Sequence, residues 1–213
     1  MAKDTKKYPV SLEIDYPKQL SRETTFFRLL LALPILVVLA VLTGGNSKEV
    51  MDVAGQEVRV TSAGITGSLF AAVGLMIIFR QRYPKWWYNF LLELQRFSTR
   101  VGAYLLLLTD KYPSTEDQQS VHLEIKYPDV KKDLNRWLPL VKWFLAIPHY
   151  FVLFFLVLAA FVVTIIAWVM IMITGEYPKN LFDFVVGVTR WSLRVQAYAF
   201  LLTTDEYPPF SLK

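Results

Sequence analysis

Three long apolar segments constrain this chain more than any other feature. Residues 26–43 contain a single charge, Arg28, while residues 62–79 and 143–174 contain none. About 20 mostly apolar residues are enough for a helix to cross the hydrocarbon core of a bilayer. A soluble protein of 213 residues has no core wide enough to bury three such segments. The sequence therefore predicts an integral membrane protein.

Composition narrows the classes of function. The formal charge is +5, but no nucleic-acid-binding motif accompanies it, so we interpret the basic excess as a topology signal. Cysteine is absent, which excludes disulfides, thiolate catalysis and cysteine metal sites. Only His122 and His149 offer imidazole, and neither begins a metal-ligand spacing. We expect no metal, no cofactor and no nucleic-acid partner.

The two halves of the chain share an ordered series of motifs. Leu-Glu-Ile-x-Tyr-Pro begins at Leu12 and again at Leu123, and Arg-x-x-x-Arg-Val-x-Ala-Tyr begins at Arg96 and again at Arg190. The other matches are Arg28 with Lys142, Pro34 with Pro148, Tyr83 with Tyr177, and Tyr112 with Tyr207. Chance similarity between apolar segments would not reproduce Arg, Tyr and Pro in the same order. The pattern predicts an internal duplication.

These motifs resemble an uncharacterised bacterial family of integral membrane proteins, known only as a domain of unknown function. The resemblance rests on the Leu-Glu-Ile-x-Tyr-Pro lead-ins, the Arg-x-x-x-Arg-Val-x-Ala-Tyr helices and the Thr-Asp-x-Tyr-Pro ending at Thr109. The second ending, from Thr203, carries one extra residue. The resemblance implies a bacterial membrane location but no activity.

We expect an all-α membrane protein of two tandem units, residues 1–113 and 114–213. Each unit is predicted to contain a transmembrane helical hairpin followed by an interfacial amphipathic helix. The predicted helices cover residues 24–43, 62–79 and 86–108 in the first unit, and 136–155, 156–174 and 180–203 in the second. The second hairpin leaves almost no room for a loop, so one long tilted helix is the alternative.

Two features outside these helices are also predicted. Residues 10–16 and 121–127 are short lead-ins that alternate apolar and polar side chains, as half-buried strands do. They either pair with each other or form two separate interfacial turns. Residues 44–61 form a polar loop that has no counterpart in the second unit.

The arginines of the predicted amphipathic helices, 86–108 and 180–203, decide whether these helices are expected to span the membrane or to lie along its surface. Arg96 and Arg100 would lie near the midplane of a spanning helix, where each costs roughly 2.5–3.5 kcal/mol. Lying flat at the headgroups avoids this cost. The basic N-terminal, middle and C-terminal segments then lie on the same side of the membrane. The positive-inside rule places that side, and with it both termini, in the bacterial cytoplasm. Spanning third helices would instead give inverted repeats, as in transporters.

The same helices carry the candidate site. Polar groups at a spacing of four, three and four residues lie on one side of each helix. Arginine offers two donors to a phosphate, and a tyrosine follows one turn further. A site for anionic lipid headgroups is predicted at Arg96, Arg100, Tyr104, Arg190, Arg194 and Tyr198. The alternative is membrane anchoring, or internal pairing with Glu93, Asp110, Asp183 or Asp205.

Other residues are expected to have structural roles. Small residues at near-helical spacing are expected to let another helix approach closely, at Gly64, Gly67, Ala71 and Gly74. Arg28 and Lys142 occupy equivalent positions near the ends of apolar helices. We expect their side chains to extend to the membrane interface.

No nucleophile motif, phosphate loop or carboxylate pair stands out in the sequence. We therefore expect a non-catalytic membrane protein that acts as a scaffold, as an accessory subunit of a membrane complex or as an element that organises anionic lipids. Its expected partners are membrane lipids and either a larger membrane complex or further copies of itself. The alternative function is a small transporter or channel, and a membrane enzyme acting on lipid or quinone has the least support.

Overall fold

Helices dominate the chain. The computed structural model describes residues 8–44, 48–53, 56–61, 64–117 and 119–213. Within these ranges there are seven α-helices: α1 (Arg22–Thr43), α2 (Gly64–Arg80), α3 (Lys85–Leu105), α4 (Val130–Asp133), α5 (Lys142–Leu145), α6 (Ile147–Thr174) and α7 (Lys179–Ala199). The strands are β1 (Val10–Ile14), β2 (Lys48–Val53), β3 (Gln56–Thr61) and β4 (Val121–Ile125), and Leu138–Leu140 forms a 3-10 turn.

Two helices, α1 and α6, are long and apolar enough to cross a membrane. Their mean hydropathies are 2.6 and 3.0, and most of their surface is not covered by the rest of the chain. The Ser21 hydroxyl accepts a hydrogen bond from the Thr24 amide at the start of α1, and Gly44 ends the helix at a φ of 75°. Pro34 lies inside α1 without interrupting it. Helices α1 and α2 occupy the segments predicted at 24–43 and 62–79, with ends within two residues. α2 has only 17 residues and is not one of the two helices long enough to cross a membrane.

The second predicted hairpin is wrong. In place of two spans at 136–155 and 156–174, one continuous helix, α6, covers 28 residues. No glycine or proline occurs between Tyr150 and Thr174, and alanine, present in the middle of this segment at Ala159 and Ala160, has the highest helix propensity of all residues. A helix of this length extends about 42 Å, enough to cross a bilayer with a tilt. Residues 136–146 form only the 3-10 turn and α5.

The two lead-ins pair with each other. β1 and β4 are antiparallel, with Leu12 opposite Leu123. This pairing confirms the first of the two alternatives for these segments. Both leucines are buried, because the sheet packs with β1 on α7 and β4 on α3. Each strand therefore lies on the amphipathic helix of the opposite half.

The insertion after α1 is more regular than the predicted loop. Within it, β2 and β3 pair as antiparallel strands, with Lys48 opposite Thr61. Strand-like alternation of Val with charged residues, as in Glu57-Val58-Arg59-Val60, is visible in the sequence and explains the pairing.

The amphipathic helices form much of the core. The helices predicted at 86–108 and 180–203 are α3 and α7, which begin after Pro84 and Pro178. α3 contacts α1 and β4, while α7 contacts α6 and β1. The apolar side of each helix is buried, and so is part of the polar stripe, including Arg100 and Arg194.

Candidate functional site

Arg96 and Arg190 each hold the strand that comes from the other half of the chain. The Nε atom of Arg96 donates to the main-chain oxygen of Leu123 at 3.0 Å. The Nε atom of Arg190 donates to the main-chain oxygen of Leu12 at 3.1 Å. Arg96 also pairs with Glu93 at 2.7 Å, one of the alternative partners named from the sequence. Both guanidinium groups are therefore engaged inside the protein.

Two further pairs of contacts cross between the halves in the same way. The Tyr16 hydroxyl donates to the Tyr177 carbonyl at 2.5 Å, and the Tyr127 hydroxyl donates to the Tyr83 carbonyl at 2.6 Å. Arg22 donates to the Ile173 carbonyl at 2.9 Å near the end of α6, and Arg136 donates to the Phe79 carbonyl at 3.3 Å near the end of α2. The two arginines thereby satisfy helix-end carbonyls that lack a partner within their helix.

Arg100 and Arg194 contact segments that follow their own helices. Arg100 donates to the Ser114 carbonyl at 2.9 Å, and Arg194 donates to the Ser211 carbonyl at 3.4 Å. Only 5% of Arg100 and 9% of Arg194 is exposed. Burial, followed by the nearby positive charge of Arg190, lowers the pKa of Arg194 from its usual value, and Tyr8 opposes this shift.

Tyr104 and Tyr198 lie under buried cations. The guanidinium carbon of Arg28 lies 4.5 Å from the centre of the Tyr104 ring, and the Lys142 ammonium lies 5.1 Å from the centre of the Tyr198 ring. Burial raises the pKa of Tyr104, with an opposing contribution from Arg28. Both tyrosines are almost fully buried, so their rings act as packing surfaces for the cations.

Arg28 and Lys142 do not extend to an interface, which corrects the sequence prediction. Arg28 is 2% exposed and pairs with Asp110, and Lys142 is 0% exposed and pairs with Asp205 at 2.7 Å. Burial lowers the pKa of Lys142, while the hydrogen bond and charge of Asp205 oppose this. The sequence signal for these partners was the Thr-Asp pair that recurs in both Tyr-Pro endings, at Thr109 and Thr204. We name these two sites the Arg28 cap and the Lys142 cap.

The predicted helix-packing residues occupy one helix but different surroundings. All four lie in α2, which begins at Gly64. Gly74 approaches the Leu202 side chain, since a Cβ atom at this glycine would lie 3.6 Å from its Cδ1. Gly67 is half-buried, whereas Ala71 is exposed and lies on a surface that the chain itself does not cover.

A basic cleft of about 680 Å³ lies where α2 ends and α3 begins, and it was not predicted. Three exposed cations line it, Arg80, Arg82 and Lys131, and none of them makes an ion pair within the described ranges. Asp129, which also lines it, pairs with Lys132 at 3.6 Å. The available sequence signal was a pair of arginines directly after an apolar segment. The cleft can hold an anionic group beside apolar surface.

Residues 137–211 match the sequence profile of a family described as Domain of unknown function (DUF4389). The resemblance to a domain of unknown function is thus confirmed for the segment that contains α5, α6 and α7. A search of curated proteins found no match, and a search of solved structures found none either.

Proposed function

We propose that this protein is a non-catalytic integral protein of the bacterial cytoplasmic membrane that organises anionic lipids, as a scaffold or as an accessory subunit of a larger complex. The observation that carries this proposal is the basic cleft at the end of an apolar helix. Phosphate groups are recognised by clustered Arg and Lys side chains that have no competing carboxylate partner.

The exposed surfaces of α1 and α6 support a membrane location. Large apolar side chains cover these helices, and they include Leu29 (76% exposed), Phe151 (67%) and Phe161 (62%). Soluble proteins rarely expose continuous apolar surfaces of this extent. Arg28 and Lys142, in contrast, are buried and pair with carboxylates, as ionisable groups in the interior of membrane proteins do.

The contacts that cross between the halves support the predicted duplication. Three pairs of residues at matching positions make matching contacts: Arg96 and Arg190, Tyr16 and Tyr127, and Arg22 and Arg136, which lie six residues before Arg28 and Lys142. In each pair, both contacts join one half of the chain to the other. We infer two equivalent units that exchange their lead-in strands, so that neither unit is complete without the other.

The proposed lipid site differs from the one predicted from the sequence. All six predicted residues contact other parts of the protein, and four of them are less than a tenth exposed: Arg100, Tyr104, Arg194 and Tyr198. Arg80, Arg82 and Lys131 are exposed and free of carboxylate partners within the described part of the chain, so the cleft is more accessible to a headgroup. Trp86, 69% exposed near the start of α3, suits the headgroup region beside it.

Lipid binding by purified variants tests this proposal. The protein is reconstituted with equal amounts of phosphatidylglycerol and phosphatidylcholine, and the lipids retained after gentle extraction are measured by native mass spectrometry. Replacing Arg80, Arg82 and Lys131 by Gln should abolish the preference for phosphatidylglycerol. A control with the same charge change, Lys18, Lys111 and Lys179 to Gln, should retain it. Equal retention in both variants would refute the site.

Accessibility of an added cysteine tests the proposed orientation. The chain has no native cysteine, so a thiol introduced by Thr115→Cys is the only one present. Thr115 is exposed in the segment between α3 and β4. We expect this thiol to resist a membrane-impermeant reagent in intact cells and to react after lysis. Labelling in intact cells would place the basic middle segment outside and would favour the transporter topology.

A further inference from the structure

A cavity of about 370 Å³ lies between α3 and α7, beside the ends of α1 and α2 that adjoin the insertion. Its lining combines leucines with uncharged polar side chains. None of the described residues that line it is ionisable. The volume corresponds to about twelve water molecules at roughly 30 Å³ each.

Several polar groups in this lining have no partner among the described residues. The Gln95 and Gln196 amides and the Ser192 hydroxyl make no side-chain hydrogen bond within the residues described, and the buried Thr66 hydroxyl has none either. The hydroxyls of Ser98 and Thr189, in contrast, donate to main-chain carbonyls of their own helices at 2.8 and 2.9 Å. The Thr66 hydroxyl is buried, and a buried polar group is costly unless it is hydrogen-bonded. Gln95, Ser192 and Gln196 are half-buried, so their free groups are available to bond an occupant of the cavity.

We propose that this cavity binds a small uncharged solute that both donates and accepts hydrogen bonds, such as a polyol or an amide. Each glutamine offers two N–H donors and one acceptor oxygen, and the hydroxyls add both functions. A charged solute is excluded, because the lining offers no opposite charge to compensate for its desolvation. This inference is independent of the proposed lipid cleft, with which the cavity shares no lining residue.

Reaction of a single introduced thiol tests the cavity. In the Ser192→Cys variant, we compare modification by neutral methyl methanethiosulfonate with modification by its anionic sulfonatoethyl analogue, using the exposed thiol of the Thr115→Cys variant as the reference. The anionic reagent should be disfavoured at the cavity thiol at least about tenfold more than at the reference thiol. Glycerol or urea at molar concentration should slow the neutral reaction at position 192 and leave that at position 115 unchanged.

A second substitution connects the protection to the free amides. Adding Gln196→Leu to Ser192→Cys should remove the protection by glycerol and urea while the thiol at position 192 remains reactive. If Ser192→Cys does not fold, Ser98→Cys places the thiol in the same lining. Equal reagent ratios at the cavity and at the reference site would overturn the proposal, and so would a lack of protection by both solutes, which indicates occupancy by water alone.

Discussion

The two caps use the same arrangement with different cations. In the Arg28 cap, one arginine reaches Asp110 and donates to the carbonyls of Tyr104 and Thr109, both at 2.7 Å. In the Lys142 cap, the lysine reaches Asp205 at 2.7 Å and one carbonyl, that of Thr204, at 2.7 Å. Each cation lies over the tyrosine of its Arg-Val-x-Ala-Tyr motif.

The difference shows how much each cap depends on its carboxylate. A guanidinium distributes its charge over five N–H donors, so Arg28 retains two carbonyl partners if Asp110 is neutralised. An ammonium is a compact charge with three donors, and Lys142 is completely buried. The Lys142 cap should therefore be the more sensitive of the two to loss of its acid.

Neutralising each carboxylate should separate the caps most strongly. We expect Asp205→Asn to lower the free energy of unfolding by about 3–5 kcal/mol, because it leaves a buried ammonium without its counter-charge. Asp110→Asn should cost only about 1–2 kcal/mol, since the two carbonyls still accept from Arg28. Unfolding of both variants in detergent micelles measures the difference, and equal losses would contradict this account of the caps.

A glycine pair compares the helices that carry these tyrosines. A Cβ atom at Gly187 in α7 would lie 2.8 Å from the main-chain oxygen of Leu212, which also accepts from Arg190. We expect Gly187→Ala to destabilise the protein by about 1–3 kcal/mol through overpacking. The matched change Gly102→Ala in α3 meets no atom within 4 Å and should stabilise by about 0.5–1 kcal/mol. Thermal unfolding of both variants measures these effects, and a neutral Gly187→Ala would contradict the expected overpacking against Leu212.

The pH dependence of stability should distinguish a lysine cap from an arginine cap. Burial lowers the pKa of Lys142 below its unfolded value of about 10.5, so between the two pKa values the unfolded chain binds more protons. Stability therefore rises with pH in that window, by at most about 1.4 kcal/mol per pH unit. Asp205→Asn removes a group that raises the folded pKa of Lys142, so it should extend the window to lower pH and enlarge the total rise in stability. Asp110→Asn should show no such change, and an equal response would contradict the assignment.

Replacing the arginine of the Arg28 cap by lysine should have the smallest effect on stability. Arg28→Lys keeps the charge opposite Asp110 but loses the fork that reaches two carbonyls, so we expect a loss of about 1 kcal/mol. Denaturant unfolding of Arg28→Lys against the unaltered protein measures it. A loss as large as that of Asp205→Asn would mean that the carbonyl contacts, and not the ion pair, dominate the cap.

Local patterns in the sequence predicted most elements of the fold. Pro84 and Pro178 mark the starts of α3 and α7, and Gly44 marks the end of α1. The error was in α6, where equal numbers of helices were expected in the two halves, although the uninterrupted apolar segment offers no residue at which the chain could turn. The helix-forming residues of this segment therefore form one helix where equal numbers in the two halves would have required two.

The candidate site was predicted less well than the fold. Repetition identified Arg96, Arg190 and both motif tyrosines as important, but of their partners the sequence indicated only Glu93, which pairs with Arg96. The Arg190 contact with Leu12 spans 178 residues of sequence, and the Arg96 contact with Leu123 spans 27.

By itself, the sequence determined the apolar segments, the order of the motifs and the positions of most helices, because these depend on side-chain type and spacing along the chain. The tertiary structure alone decided that the strands lie on the helices of the opposite half and that the arginines point inward. The physical reason is the acceptor chemistry. Most of these arginines and tyrosines bond to main-chain carbonyls, which every residue type presents, so the amino-acid sequence carries no mark of the acceptor.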